Sequence, residues 1–227
     1  MKKYLCFHLF LAVLITSGAL AASKIAVATK VQGKVDYIRV DNGKRQALKQ
    51  GTVLADGDKI VTGASGFVAI VFIDDKSLVK IKEDTEIEIT GKRSQAAISK
   101  RLNMDNGTIR AKVTKQRKGD FVVQTPTSVA SVKGTDFWVI SNPFTGDQLF
   151  GLEGLVNFTN LLTGESINVA AGFTGNSTPD GGLSVGETDP NTIPQDPDEA
   201  EGAGESVMRI TFVGPDGTQK VLVIHYH

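Results

Sequence analysis

Carboxylates and histidines are the groups in this chain that could carry chemistry, and their spacing limits what that chemistry is. Two pairs of acids stand close together, Asp56 with Asp58 and Asp74 with Asp75. Oxygen-rich clusters of this kind bind hard cations. Each pair also falls at a predicted turn, where Asp hydrogen-bonds to nearby backbone. We therefore interpret both pairs as turn residues and predict no metal there.

The histidines are badly placed for catalysis or for metal binding. His8 lies in an N-terminal apolar segment, and His225 and His227 close the chain. Two histidines separated by one residue share a strand face and could share a metal, but the sequence offers no third ligand beside them. It also contains no P-loop or H-E-x-x-H motif. We predict no catalytic residue, no metal and no cofactor.

A basic stretch runs from Lys92 to Lys118, with nine Lys and Arg residues opposed only by Asp105. On its strand-like part the basic side chains share one face and the apolar ones the other, so the charges point outward. The candidate residues for contact with an anionic partner are Arg110, Lys112, Lys115, Arg117 and Lys118. The alternative is a solvated strand face whose charges discourage aggregation. The stretch has no aromatic residue to stack on bases, so we predict no nucleic-acid partner.

Residues 1–21 have the pattern of a secretory signal: a Lys2-Lys3 head, an apolar run and an Ala19-Leu20-Ala21 cleavage site. We expect export to the periplasm, with release from the cell as the alternative, and no membrane span in the mature chain. A retained anchor is the competing interpretation. Cys6 is the only cysteine, so the mature chain forms no disulfide and depends on its core for stability.

Charge and composition divide the rest of the chain into three parts. Residues 22–175 carry 21 Lys and Arg against 16 Asp and Glu, whereas residues 176–227 carry two against nine. Between 176 and 205 there are four prolines, eight acids and no base, which is typical of an extended or disordered linker. Residues 206–227 form two alternating segments around Pro215-Asp216-Gly217, which predicts a β-hairpin. The folded domain is therefore expected at 22–175.

Apolar and polar residues alternate through most of the domain, which predicts an all-β fold. We expect short antiparallel strands rolled about one core, as a sandwich, a roll or a short solenoid. Turns are predicted at Asp41-Asn42-Gly43 and Asp105-Asn106-Gly107, and a helix or loop at Ser94–Arg101. A tight corner before the only tryptophan, Trp138, is expected to lie at the structural centre; its residues are Val132, Lys133, Gly134, Thr135, Asp136 and Phe137.

The glycines reveal an internal repeat. Gly33, Gly43 and Gly51 recur at the same two intervals as Gly154, Gly164 and Gly172, and Gly107 resembles a third, weaker opening of the same unit. Repeated strand-turn-strand units suggest coils of sheet stacked about one core. Chance recurrence in a chain with 24 glycines is the alternative.

The chain resembles the FecR-type domain. Four segments occur in that family's order: Val31–Val35, Leu48–Gly51 through Gly57–Gly63, Phe72–Ser77 and Val132–Phe137. A closing strand fits Glu153–Val156, and the resemblance spans Ile25 to Gly175. It implies a β-rich extracytoplasmic domain, in the best-known members the periplasmic sensing part of a transmembrane regulator of iron-siderophore uptake. No anti-sigma segment or internal span is expected here, so sigma-factor regulation is not carried over.

The expected function is that of an exported, non-enzymatic binding or scaffold module of the cell envelope. Its expected partner is an envelope protein or an anionic surface polymer, and the oligomeric state is left open. The alternative is a periplasmic signalling component that works with a membrane-bound regulator. A third possibility, an envelope hydrolase that uses paired acids, lacks a catalytic set. The terminal hairpin is expected to dock either on its own body or on a partner.

Overall fold

The protein, studied as a computed structural model, is described for residues 23–93, 98–116, 119–195, 197, 206–213 and 218–226. The predicted all-β class is confirmed, with one 3-10 turn at Pro190–Thr192. No helix in the described ranges is long and apolar enough to cross a membrane. The strands are β1 Lys24–Gln32, β2 Val35–Ile38, β3 Arg45–Ala47, β4 Val53–Ala55, β5 Asp58–Thr62, β6 Phe67–Phe72, β7 Leu78–Ile81, β8 Glu86–Arg93, β9 Ile98–Lys112, β10 Phe121–Gln124, β11 Ser128–Val132, β12 Asp136–Asn142, β13 Gly146–Glu153, β14 Leu155–Asn160, β15 Ser166–Ala170, β16 Phe173–Ser177, β17 Leu183–Glu187, β18 Ser206–Val213 and β19 Gln219–Tyr226.

Strands β1 to β17 form two sheets that share β9. Sheet A has the order β4-β1-β6-β7-β9-β12-β13-β16-β17. Sheet B has the order β3-β2-β5-β8-β9-β10-β11-β14-β15. Every pairing is antiparallel except that of β9 with β10. The chain passes repeatedly between the two sheets, which matches the expected roll about one core.

The core lies between the sheets and takes alternate residues from each strand. In β10, for example, Phe121 and Val123 point inward while Val122 and Gln124 do not. Burying each large apolar side chain contributes about 1.5–3 kcal/mol. Residues 22–227 contain no cysteine, so this burial is the main source of stability. The largest inward-facing apolar side chains include Phe72, Phe121, Phe137, Phe158, Leu54 and Ile60.

The shared strand β9 is longer than the sequence pattern predicted. Its first part pairs with β8 in sheet B, and from Gly107 onward it pairs with β12 in sheet A. The turn predicted at Asp105-Asn106-Gly107 is therefore wrong, as are the third repeat at Gly107 and the helix or loop at 98–101. Gly107 has a φ of 117°, which bends a continuous strand instead of closing a hairpin. Residues 94–97 lie outside the described ranges.

The two-copy repeat is present in the fold. In the first copy β1 pairs with β4 and β2 with β3, and in the second β13 pairs with β16 and β14 with β15. Equivalent backbone hydrogen bonds close the two hairpins. Gly43 N donates to Arg39 O at 2.8 Å, and Gly164 N donates to Asn160 O at 2.9 Å. Each copy thus leaves sheet A, forms a hairpin in sheet B and returns to sheet A.

The domain extends beyond the predicted boundary at residue 175. Asn176 and Ser177 complete β16, and β17 pairs with it along all five of its residues. The prediction of an extended linker from 176 is thus wrong for this part, because an exposed edge strand needs few apolar residues. Strands β18 and β19 form the predicted antiparallel hairpin. Its turn, residues 214–217, lies outside the described ranges, as does the predicted signal segment 1–21.

Candidate binding surfaces

The corner at 132–137 carries the chain from sheet B to sheet A, between β11 and β12. Val113 and Thr135 exchange two backbone hydrogen bonds, of 2.8 and 3.2 Å, which hold the end of β9 against the corner. Gly134 has a φ of 136°, and a Cβ there would lie 3.0 Å from Lys115 Cα. After the corner Phe137 faces the core and Trp138 the opposite side, as alternation predicts. The predicted motif thus has an architectural role.

Arg110 and Asp136 form a bidentate ion pair on the outer face of sheet A. Arg110 Nε lies 2.9 Å from Asp136 Oδ1, and Nη2 lies 3.0 Å from Oδ2. The guanidinium also stacks over the Trp138 ring, 5.9 Å from its centroid. Arg110 was a candidate for contact with an anionic partner, and in the structure it pairs with an acid on a neighbouring strand. Bidentate pairing is favoured because the planar guanidinium matches the carboxylate geometry.

The other residues of the predicted anionic contact are not all gathered on one surface. Lys112 is exposed on the outer face of sheet A, next in alternation to Arg110. Lys115 is exposed beside the corner, where its backbone lies against Gly134 and therefore close to Lys133. Arg117 and Lys118 lie outside the described residues. The basic stretch thus separates into a part on sheet A and a part beside the corner.

A buried lysine that the sequence analysis assigned no role joins the two sheets. Lys100 Nζ lies 2.8 Å from Asp74 Oδ2 and 2.7 Å from Asp75 Oδ2, and its side chain is fully buried. It also lies 5.5 Å from the centroid of the Phe72 ring. Asp74 and Asp75, considered above as cation ligands, bind this ammonium group. Alternation could have identified Lys100, since it shares the inward face of β9 with Ile98, Leu102 and Met104.

The Asp75 carboxylate is the acceptor at the centre of this network. Besides Lys100 it accepts hydrogen bonds from Gln116 Nε2 and from the Ser77 backbone N–H and hydroxyl. Burial raises the pKa of Asp75, but the hydrogen bonds from Lys100, Gln116 and Ser77 outweigh it, so the pKa lies below its ordinary value. The folded state thus holds this group ionised more strongly than the unfolded chain does.

Asp75→Asn should make the protein less stable at neutral pH, and the difference from the wild type should shrink in acid. A depressed folded pKa contributes stability that is fully present above the unfolded value, about 3.9, and is lost as the pH falls through the folded value. Urea unfolding of both proteins between neutral pH and about pH 3 measures this difference. A difference that does not change with pH would contradict the role given to Asp75.

The remaining acids considered for chemistry bind backbone N–H groups. Asp58 accepts the N–H of Ala55 at 2.9 Å within its own turn, as predicted for a turn residue. Asp58 also accepts the N–H of Val40 at 3.0 Å, and Asp56 accepts that of Gly91 at 2.8 Å, so these two contacts join distant segments of the chain. His227 and the side chain of His225 lie outside the described residues. In the described part of the chain, no three His, Cys, Asp or Glu residues are grouped so that they could hold a metal ion.

A shallow groove of about 430 Å³ lies on the outer face of sheet B, across β10, β11, β14 and β15. Its floor is a cross-strand row formed by Val122, Ser131, Asn157 and Asn168. Asn157 Nδ2 donates to Asn168 Oδ1 at 3.3 Å, which aligns the two amides. The lining is completed by Asp120, Phe121, Val132, Lys133 and the exposed Leu155. Alternation in the sequence indicates that these polar side chains face away from the core. It does not indicate that the strands carrying them lie side by side.

Comparison with known families matches residues 58–148 to the family described as FecR protein. The matched range contains two of the predicted motif segments completely, Phe72–Ser77 and Val132–Phe137, whereas Val31–Val35 and Leu48–Gly51 precede it. A comparison with curated proteins gave no match.

Comparison with solved structures gave matches over parts of the chain. Two crystal structures of a protein assigned as an anti-sigma factor from Parabacteroides distasonis share 14% identity with this chain, with a TM-score of 0.49. The match covers 58% of this chain and 60% of the other, so this chain spans less than two thirds of that protein's length. A cell surface anchoring domain is 35% identical over 30% of this chain and 87% of its own length, with a TM-score of 0.28.

Proposed function

We propose that this chain, whose residues 58–148 match the FecR protein family, is an exported, non-enzymatic binding module of the cell envelope. Its contact surface is the groove on the outer face of sheet B, together with the basic residues beside the corner. The partner is an anionic surface polymer, and an envelope protein is the alternative occupant. The groove is the observation that carries this proposal.

The groove has the chemistry to bind a hydroxyl-rich polymer. Asn157 and Asn168 have amide groups that both donate and accept hydrogen bonds, and Ser131 adds a hydroxyl. The exposed Leu155 provides an apolar patch against which sugar C–H groups can pack. Lys133 lines the groove and Lys115 lies close to it, so acidic substituents on the polymer would meet positive charge. Asp120 is the one acid in the lining.

Three of the described acids are held in internal contacts, which favours a role without catalysis. Asp136 is bound to Arg110, Asp58 to two backbone N–H groups, and Asp147 to the hydroxyls of Thr125 and Ser128. A general acid or nucleophile needs a carboxylate that can reach substrate. Turnover of an ester or glycan that Asp136→Asn abolishes would favour an envelope hydrolase instead.

Capture from intact envelopes by crosslinking tests the binding role. We expect wild-type protein to retain an anionic polymer, and the double variant Asn157→Ala with Asn168→Ala to lose most of it. Lys133→Glu should weaken capture most at low salt, because the attraction between charges is screened as salt rises. The matched control is Gln148→Ala, which removes an exposed amide from sheet A. Equal capture by the wild type, all these variants and the control would exclude the groove as the contact surface.

Signalling with a membrane-bound regulator is the second candidate, and the FecR-type match favours it. In that case the captured material should be a membrane protein that protease treatment removes. Deletion of the protein should then change transcription from promoters under that regulator. A captured polymer that resists protease, with transcription unchanged, supports the binding module instead.

A further inference from the structure

Sheet A carries large apolar side chains that point away from the core and are nevertheless covered. Phe137, Val139 and Leu149 face the core. Trp138 and Phe150 alternate with them along β12 and β13 and pair with each other, so both face the opposite side. Trp138 is only 1% exposed and Phe150 only 2%. On the same outer face of β1 and β6, further residues are buried, Val27, Phe67, Ala69 and Val71. Chain outside the two sheets must therefore cover the outer face of sheet A.

The segment that follows β17 begins and continues on this face. The Thr188 hydroxyl lies 2.8 Å from that of Thr174 on β16, and Lys82 Nζ, just after β7, donates to Gln195 O at 3.4 Å. Between β16 and β7 lie β13, β12 and β9, so the segment spans four strand spacings, about 19 Å. The three residues of the 3-10 turn Pro190–Thr192 advance about 2.0 Å each and the other four about 3.3 Å each, so the segment reaches about 19 Å. Residues 188–195 are therefore just long enough to pass over the outer face from β16 to Lys82.

The hairpin at the end of this segment has one covered face and one open face. Met208 pairs with Ile224 and Ile210 with Leu222, so these four side chains share a face. Ile224 on that face is only 3% exposed, whereas Val223 on the opposite face is 39% exposed. A two-stranded hairpin has no interior of its own, so burial of Ile224 requires a surface to lie against.

We propose that the outer face of sheet A is a docking surface and that its occupant is the chain's own C-terminal segment, formed by residues 188–195 and the hairpin of β18 and β19. The apolar face of the hairpin that contains Ile224 packs on the covered apolar residues of sheet A. The segment acts as an internal ligand, so another chain can reach this face only after the segment leaves.

Trp138 is the only tryptophan of the chain, so its fluorescence reports whether the face is covered. Ile224→Asp places a charge on the covered face of the hairpin and should release it. We expect the Trp138 emission to shift to the red and quenching by acrylamide to increase several-fold, with the β-sheet circular dichroism retained. Val223→Asp makes the same change one residue away, on the open face, and should leave both signals unchanged. Equal quenching in wild type and Ile224→Asp would overturn the proposal.

A cysteine pair tests the same contact without disturbing the hairpin. In a Cys6→Ser background, Lys82→Cys with Gln195→Cys should be joined within one chain by a short bis-maleimide crosslinker even at high dilution, because Lys82 Nζ lies 3.4 Å from Gln195 O. The linker replaces the length of the lysine side chain, which a disulfide would not span. The matched control pairs Lys44→Cys, on the exposed β2–β3 turn, with Gln195→Cys and should not be joined. Failure of the first pair to crosslink would contradict the path over sheet A. Crosslinks that form only between chains would place the segment on a second copy and overturn the intramolecular assignment.

Discussion

Lys100→Met should lower the free energy of unfolding by about 3 kcal/mol, the lower end of the range for breaking a buried ion pair. Methionine retains most of the volume of the side chain but leaves Asp74 and Asp75 side by side without the ammonium group that pairs with both. Like charges at this spacing repel in a partly buried site. The value lies at the lower end because both carboxylates keep some contact with solvent. Urea unfolding at neutral pH measures the change.

The matched control for this variant is Lys112→Met, which removes a lysine from the same strand at an exposed position. An exposed substitution of this kind should change stability by no more than about 0.5 kcal/mol. Adding Asp74→Asn and Asp75→Asn to Lys100→Met should restore part of the loss, because the uncompensated charges are then gone. The ion-pair explanation fails if the Lys100 and Lys112 variants unfold at the same urea concentration.

Gly107→Ala should cost about 2–6 kcal/mol, the sum of backbone strain and overpacking. Its φ of 117° is rarely adopted by residues with a Cβ, and the new Cβ would lie 2.1 Å from Thr85 Oγ1 and 2.6 Å from Thr85 Cα. Thr85 cannot simply rotate away, because its backbone is part of the clash and its Oγ1 accepts the Thr108 N–H at 3.0 Å. Thermal and urea unfolding would show the loss.

Gly43→Ala separates the two contributions. Gly43 also has a positive φ, 64°, but no atom lies within 4 Å of the position that the alanine methyl group would take, so only backbone strain remains. The expected cost is about 1–2 kcal/mol. If the two alanine variants lose equal stability, the clash at Gly107 is relieved at little cost. The backbone where β9 passes from sheet B to sheet A would then shift more easily than its contacts with Thr85 indicate.

The features predicted correctly from sequence are those that depend on local pattern. Alternation identified the strands, placed Phe137 inward and Trp138 outward, and predicted the terminal hairpin. The Asn106-Gly107 pair failed as a turn signal because it specifies a positive φ, and a positive φ either closes a hairpin or bends a strand. The strands that pair with β9 before and after Gly107, β8 and β12, decide whether the chain turns or continues there.

The candidate surfaces were harder to predict because their residues come from distant parts of the chain. Alternation places Asn157 and Asn168 outward, but the groove exists because β14 lies beside β11. Arg110 was a candidate for an outside contact because Asp136, with which it pairs in the structure, lies 26 residues later in the chain. A charged side chain has the same sequence signature whether its counter-ion belongs to the same protein or to another.

Strand β9 couples the two halves of the molecule thermodynamically. Strands β1–β8 precede it in the chain and lie on one side of it in both sheets, whereas β10–β17 follow it and lie on the other side. Neither half keeps its neighbour in sheet A or in sheet B if β9 detaches, so both would expose a sheet edge and part of the core at once. The body therefore behaves as one cooperative unit, although its internal repeat resembles two modules joined end to end.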